Sequence, residues 1–179
     1  MIGKPVRYPL GLRVLHWLMA VLVVLMFALG LTIAYAPPAD EARAHLLFNL
    51  HESTGLTLLA LLLLRALLRL RGGAPALPRS VGRPVRVLAR LNHAALYLLL
   101  MVQPVLGLLD AYAAGAPLVW YELVPVPLPI ARQPKPISDA LVAAHWWGAA
   151  VLFAAVALHV AGAAWHGLIR RDGVVRRMV

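Results

Sequence analysis

Residues 140–169 read ALVAAHWWGAAVLFAAVALHVAGAAWHGLI. Not one of them is Asp, Glu, Lys or Arg. About 20 predominantly apolar residues cross the hydrocarbon of a bilayer as a helix, so this run predicts a membrane span. It also carries His145 and His159, fourteen positions apart. At 3.6 residues per turn that spacing is close to four whole turns, so both rings leave one face, separated by a rise of about 21 Å. One helix therefore offers an imidazole near each surface of the membrane.

The rest of the chain supplies helices to face it. Residues 14–39 and 91–109 are also free of Asp, Glu, Lys and Arg. A fourth run contains Glu52 near one end and Arg65 near the other, with an uncharged middle from Ser53 to Leu64. Charges at those depths reach the headgroups or snorkel, so it too reads as a span. Pro37-Pro38 ends the first helix and Arg71-Gly72-Gly73 with Pro75 and Pro78 ends the second, because proline removes a donor and clashes with the preceding turn. Gly115 to Pro136, with six prolines, separates the third helix from the fourth, which Ser138 or Asp139 is suited to cap. The expected fold is all-α: one membrane domain over residues 1–179, an up-down-up-down four-helix bundle with spans at about 12–36, 44–69, 88–112 and 139–168.

Composition agrees. Of 179 residues, 62% are hydrophobic and 13% charged, against roughly half and a quarter in soluble domains. A chain this size cannot hide that excess in one core. The net charge of +10 would alone suggest nucleic acid, but its distribution is a topology signal. One side of the bundle holds 14 basic residues and only Asp172; the other holds Arg43, Arg132 and Lys135 against six acids. The positive-inside rule puts both termini in the cytoplasm. Lipid is the expected partner and nucleic acid is not. The absence of cysteine excludes disulfides, zinc–thiolate sites, iron–sulfur clusters and thioether-attached haem.

A membrane histidine is costly without a partner. Depth supplies one for each ring of the fourth helix. His51 lies about two turns into the second helix from the outer side, as does His145 in its own helix; His16 lies near the inner start of the first helix, level with His159. Two pairs result, His51/His145 outside and His16/His159 inside. Zinc would want more ligands than either pair offers. Two imidazoles on facing helices do fill the axial positions of a haem, whose broad faces suit Leu, Val and Ala walls. Gly55, Gly148 and Gly162 follow His51, His145 and His159 by about one turn, where a glycine lets a macrocycle approach backbone. Haem propionates need cations near the aqueous face. Arg13, one turn before His16, and Arg65 are expected to serve the inner haem, with Arg69 an anchor in the headgroups. His93 opens the third helix on the inner side and rivals His16 as partner of His159. His45 is expected in the outer connection, solvated, and His166 at the inner interface.

These residues resemble a known family. Arg13-Val-Leu-His16-Trp17, His51-Glu-Ser-Thr-Gly55 with Leu64-Arg65-Ala-Leu-Leu-Arg69, Asn92-His93-Ala-Ala-Leu-Tyr97 with Gln103-Pro104-Val-Leu-Gly107, and the His145/His159 spacing are together similar to bacterial cytochrome b561 proteins over nearly the whole chain. The resemblance implies a multi-pass protein of the bacterial inner membrane. It implies two haem b groups with iron ligated by His16, His51, His145 and His159, and His93 not a ligand. Electron transfer between a quinone pool, ubiquinone included, and a periplasmic donor or acceptor follows, extending to superoxide:ubiquinone oxidoreductase activity. The alternative is a haem subunit anchoring a periplasmic dehydrogenase or hydrogenase. An anionic substrate favours positive potential at its approach; here Val142, Ala143 and Ala144 precede His145, Glu52 follows His51, and the nearest outer cations are Arg132 and Lys135.

Overall fold

The computed structural model of the chain describes residues 7–72 and 81–179. Lys4, Arg79 and the expected break from Gly73 to Pro78 lie outside the described residues. Four long helices dominate: α1 (Leu10–Tyr35), α2 (Glu41–Gly72), α3 (Arg83–Ala114) and α4 (Lys135–Ala164). Each has the length and apolar composition to cross a membrane, and at 1.5 Å per residue the shortest, of 26 residues, is about 39 Å long. Helices α2 and α3 run past their apolar stretches at both ends, whereas α1 stops at Tyr35 and α4 gives way to a π-helical turn at Trp165. Hydropathy marks only the apolar middle, whereas Arg69 and Arg71, or Arg83, Arg86 and Arg90, continue the same helices beyond it.

Pro9 precedes α1, and α1 ends at Tyr35, just before Pro37-Pro38. The C-terminus of α3 closes on Gly115, whose φ of 83° is left-handed, with its N–H bonded to the Ala111 and Tyr112 carbonyls. The start of α4 differs from the expected cap. The helix begins at Lys135 with Pro136 in its first turn, where a missing N–H costs nothing. Asp139 consequently lies inside the helix, paired with Lys135 at 2.7 Å, and no side chain caps the end.

The start of α1 and the C-terminal tail meet at one end of the bundle. After α4 a π-helical turn, Trp165–Arg170, and a bend lead to a short 3-10 turn, Val175–Arg177. This tail crosses the foot of α1: Tyr8 N–H donates to the Arg177 carbonyl at 3.0 Å and Trp17 Nε1 to the Met178 carbonyl at 2.8 Å. Its bend is fixed by His166 Nδ1 against Asp172 Oδ2 at 2.6 Å, a largely buried pair. His166 is thus an internal fastener, not simply an interfacial ring. This is the terminal end of the bundle.

The opposite end carries the connection from α3 to α4. Expected only to separate helices, it forms a small antiparallel hairpin, β1 (Val119–Trp120) and β2 (Val124–Pro125), paired Val119↔Pro125 and Trp120↔Val124. The hairpin docks on a polar stripe of α2 spaced by one turn, Asn49, Ser53 and Thr57. Asn49 Nδ2 donates to the Val119 carbonyl at 2.7 Å, Tyr121 N–H to Ser53 Oγ at 2.7 Å and Trp120 Nε1 to Thr57 Oγ1 at 3.1 Å. Non-helical backbone at such a depth is tolerable only when protein satisfies it, and fully buried Ser53 does so. His45 is part of α2, exposed, with Nδ1 3.6 Å from a carboxylate oxygen of Glu122. It belongs to a helix that starts earlier than the apolar pattern indicates.

Helices α3 and α4 pack most extensively, then α1 with α2, then α2 with α3. A core of Met19, Val23, Leu58 and Leu62 joins α1 and α2, with Tyr97, Leu100 and Val156 against it. Ring contacts also join α1 and α4, Phe27 with Phe153 and Tyr35 with Trp146 among them.

Candidate cofactor site

Four half-buried histidines form two pairs, one toward each end of the bundle. At the terminal end His16 of α1 faces His159 of α4 with ring centroids 6.0 Å apart and planes at 71°. At the hairpin end His51 of α2 faces His145 of α4 at 6.2 Å and 75°. Two imidazoles ligating one metal at about 2.0 Å each have centroids roughly 6.2 Å apart, since a ring nitrogen sits about 1.1 Å from the centre. Both separations match. None of the four rings hydrogen-bonds another group among the described residues, and the Nδ1 atoms of His51 and His145 are buried without a partner. Buried polar groups are ordinarily paired, so rings held opposite each other and left without hydrogen-bond partners suit an external ligand between them.

The other histidines are engaged. His93 Nδ1 lies 2.5 Å from the Ala89 carbonyl one turn earlier. Its centroid is 5.1 Å from that of His159, about 1.1 Å short of the two-ligand spacing. His93 therefore flanks the pair without matching its geometry. Among the described residues there is no cluster of three or more His, Cys, Asp or Glu able to hold a metal ion.

The walls at the hairpin end are largely apolar. A cleft of about 100 Å³ at the hairpin end is lined by His51 and His145 with Phe27, Leu100, Leu152 and Gly55 among others. Gly55 faces the Met26 methyl, 3.4 Å from where a Cβ would stand. Glu52 also lines this cleft.

At the terminal end Arg65 Nη1 donates to the Leu12 carbonyl, tying α2 to the first turn of α1. It lies within electrostatic range of both His16 and His159. Arg13 Nε is buried with no partner. The Arg69 guanidinium lies 5.7 Å over the Tyr97 ring, a cation–π contact rather than a free headgroup anchor.

Three residues at this site take a structural role that the sequence does not assign them. Gly30 of α1 stands where a Cβ would lie 3.2 Å from His51 Cε1, and Gly107 of α3 where one would lie 3.1 Å from His145 Cε1. Gln103 of α3, buried, donates from Nε2 to the His145 carbonyl at 2.9 Å. A polar residue four positions before a glycine within an apolar helix was the available signal. Gly162 has open space where its Cβ would be, and Gly148 is occupied on that side by the Gln103 amide.

A polytopic four-helix membrane bundle with two sets of facing, unpaired imidazoles and no thiol is the architecture of a b-type membrane cytochrome. The sequence comparisons agree. The family profile described as prokaryotic cytochrome b561 matches residues 7–179. "Cytochrome b561 homolog 2" of Escherichia coli (strain K12) is 33% identical, over 99% of this chain and 93% of its own length. "Probable superoxide oxidase CybB" of Yersinia pestis is 26% identical, over 92% of this chain and 91% of its own length. The chain belongs to the prokaryotic cytochrome b561 family. With that membership come membrane electron transfer and b-type haem.

Proposed function

We propose that this protein carries single electrons across the membrane between a quinone pool, ubiquinone in particular, and a donor or acceptor outside, holding two b haems on four histidines. His16 and His159 would ligate one, His51 and His145 the other. A bis-imidazole haem supplies one-electron chemistry with no covalent step on the protein. The single observation carrying this reading is the matched ring spacing of 6.0 and 6.2 Å in two pairs that share α4. His145 and His159 leave one face of that helix about 21 Å apart along its axis, so the pairs bridge most of the hydrocarbon.

The remaining residues hold and neutralise. Arg13, with its unpartnered Nε, and Arg65, whose charge acts on both terminal-end rings, are suited to donate to the carboxylates of a haem. Gly55 leaves room at the hairpin-end cleft. The basic excess at the terminal end supports placing it in the cytoplasm of a bacterial inner membrane.

A second reading, superoxide as the outer electron donor, is favoured by the name of the Yersinia pestis relative. Against it stands charge. The hairpin end holds six acids and three bases, a potential that repels anions. The experiment is an absorbance titration of purified protein with ubiquinol and, separately, with superoxide, after pyridine haemochrome quantification. Two haems per chain and reduction by ubiquinol support the first reading; one haem or none ends it. Rapid reduction by superoxide selects the second.

A further inference from the structure

His145 is gripped by two successive turns of α3. On one turn, Gln103 Nε2 donates to the His145 carbonyl at 2.9 Å. Within a helix that carbonyl already accepts the N–H four residues on, and its second lone pair takes the amide. Reversing the amide would set two acceptors against each other, so its orientation is dictated by chemistry. The amide sits where only glycine permits: a Cβ on Gly148 would lie 2.4 Å from Gln103 Oε1 and 3.0 Å from its Cδ. On the next turn of the same α3 face, Gly107 brings backbone against the ring itself. A Cβ there would lie 3.1 Å from His145 Cε1 and 3.5 Å from Nδ1. Pro104 stands between the two inside the helix. At the other ring of the pair, a Cβ on Gly30 would lie 3.2 Å from His51 Cε1, and no buried amide bonds to the His51 backbone among the described residues.

We propose that Gln103, seated on Gly148, and Gly107 are positioning residues for His145. Together they set the depth and rotation of α4 at this point and the plane of the imidazole. They act on the hairpin-end haem through its ligand, without touching it as ligands themselves. The inference rests on the reading of His51 and His145 as a ligand pair. Its physical basis is that the electronic structure of a six-coordinate haem follows its axial ligands and their surroundings. The 75° between the two ring planes is such a setting, and it survives only while neither ring is free to turn. The Gly107 backbone removes that freedom on one side of His145.

The test is electron paramagnetic resonance of oxidised, purified protein. His51→Ala, which removes one ligand, identifies the signal of the hairpin-end haem; the terminal-end signal serves as internal standard for folding. Gln103→Met keeps the volume and loses the donor. Gly148→Ala pushes the amide out. Gly107→Ala presses a methyl on the ring. In each, the hairpin-end signal should shift in g value or convert to high spin, with the terminal-end signal at full intensity. The double variant Gln103→Ala/Gly148→Ala should be no worse than Gln103→Ala, because the added methyl enters vacated space. Unchanged signals in all three single variants, or additive damage in the double variant, would overturn the proposal while leaving the two-haem reading intact. Loss of both haems together in every variant would place these residues in the general fold and overturn it as well. Wild-type protein without two low-spin signals would sink both.

Discussion

The choice between His16 and His93 as the second ligand of the haem proposed at the terminal end can be settled by two substitutions. The His16–His159 centroid separation of 6.0 Å lies within about 0.2 Å of the roughly 6.2 Å two-ligand spacing. His93 is at 5.1 Å. To ligate opposite His159 it would have to retreat by about 1.1 Å and abandon its 2.5 Å contact with the Ala89 carbonyl. It sits three turns into a 32-residue helix packed on α4, so the retreat would move packed backbone. His16→Ala should therefore take haem per chain from two to one, with about half the reduced b-band absorbance lost, and the hairpin-end signal should stay. His93→Ala should keep two haems and both signals. The assay is pyridine haemochrome per mole of chain, paired with paramagnetic resonance to tell which haem is gone. Retention of two haems by His16→Ala alongside loss of one in His93→Ala would refute the spacing argument.

Three further outcomes follow from other parts of the molecule. The hairpin turn is closed by a Leu123 N–H to Trp120 carbonyl bond of 2.9 Å, and its central residues Tyr121 and Glu122 have φ of 47° and 58°. Left-handed backbone costs non-glycine residues about 1–2 kcal/mol each, while the exposed His45–Glu122 contact is worth little. Glu122→Gly should thus raise thermal stability in detergent by about 1 kcal/mol, and a fall would mean that the side chain holds the loop. Arg13→Gln should lower the midpoint potential of the terminal-end haem and leave the other nearly unchanged, since losing a nearby positive charge favours the oxidised form; equal shifts in both would make Arg13 a headgroup anchor. A cysteine introduced at Leu128, in the segment between β2 and α4, should react with an impermeant thiol reagent on intact cells; protection there, with labelling at position 171 on the opposite end, would invert the orientation.

Much of this protein is legible in one dimension because a membrane imposes one-dimensional rules. Hydrocarbon demands a continuous apolar helix of sufficient length, so residues 14–39 and 140–169 announce themselves. The fourteen-residue step from His145 to His159 is likewise a property of a single helix, and its meaning survives any packing. Pairing by depth needed only helix direction, and it brought His51 to His145 and His16 to His159. What depends on rotation and approach between helices was out of reach. Whether His16 or His93 stands at the right distance from His159 turns on about 1 Å of lateral packing. The docking of Val119–Pro125 onto Asn49, Ser53 and Thr57 joins segments some 70 positions apart; the polar stripe on α2 was visible, but no local rule says what satisfies it. Gly30, Gly107 and Gly148 differ from other glycines only in what a Cβ would strike. Helix periodicity specifies which residues share a face; only the packed bundle decides which face meets which, and at what distance.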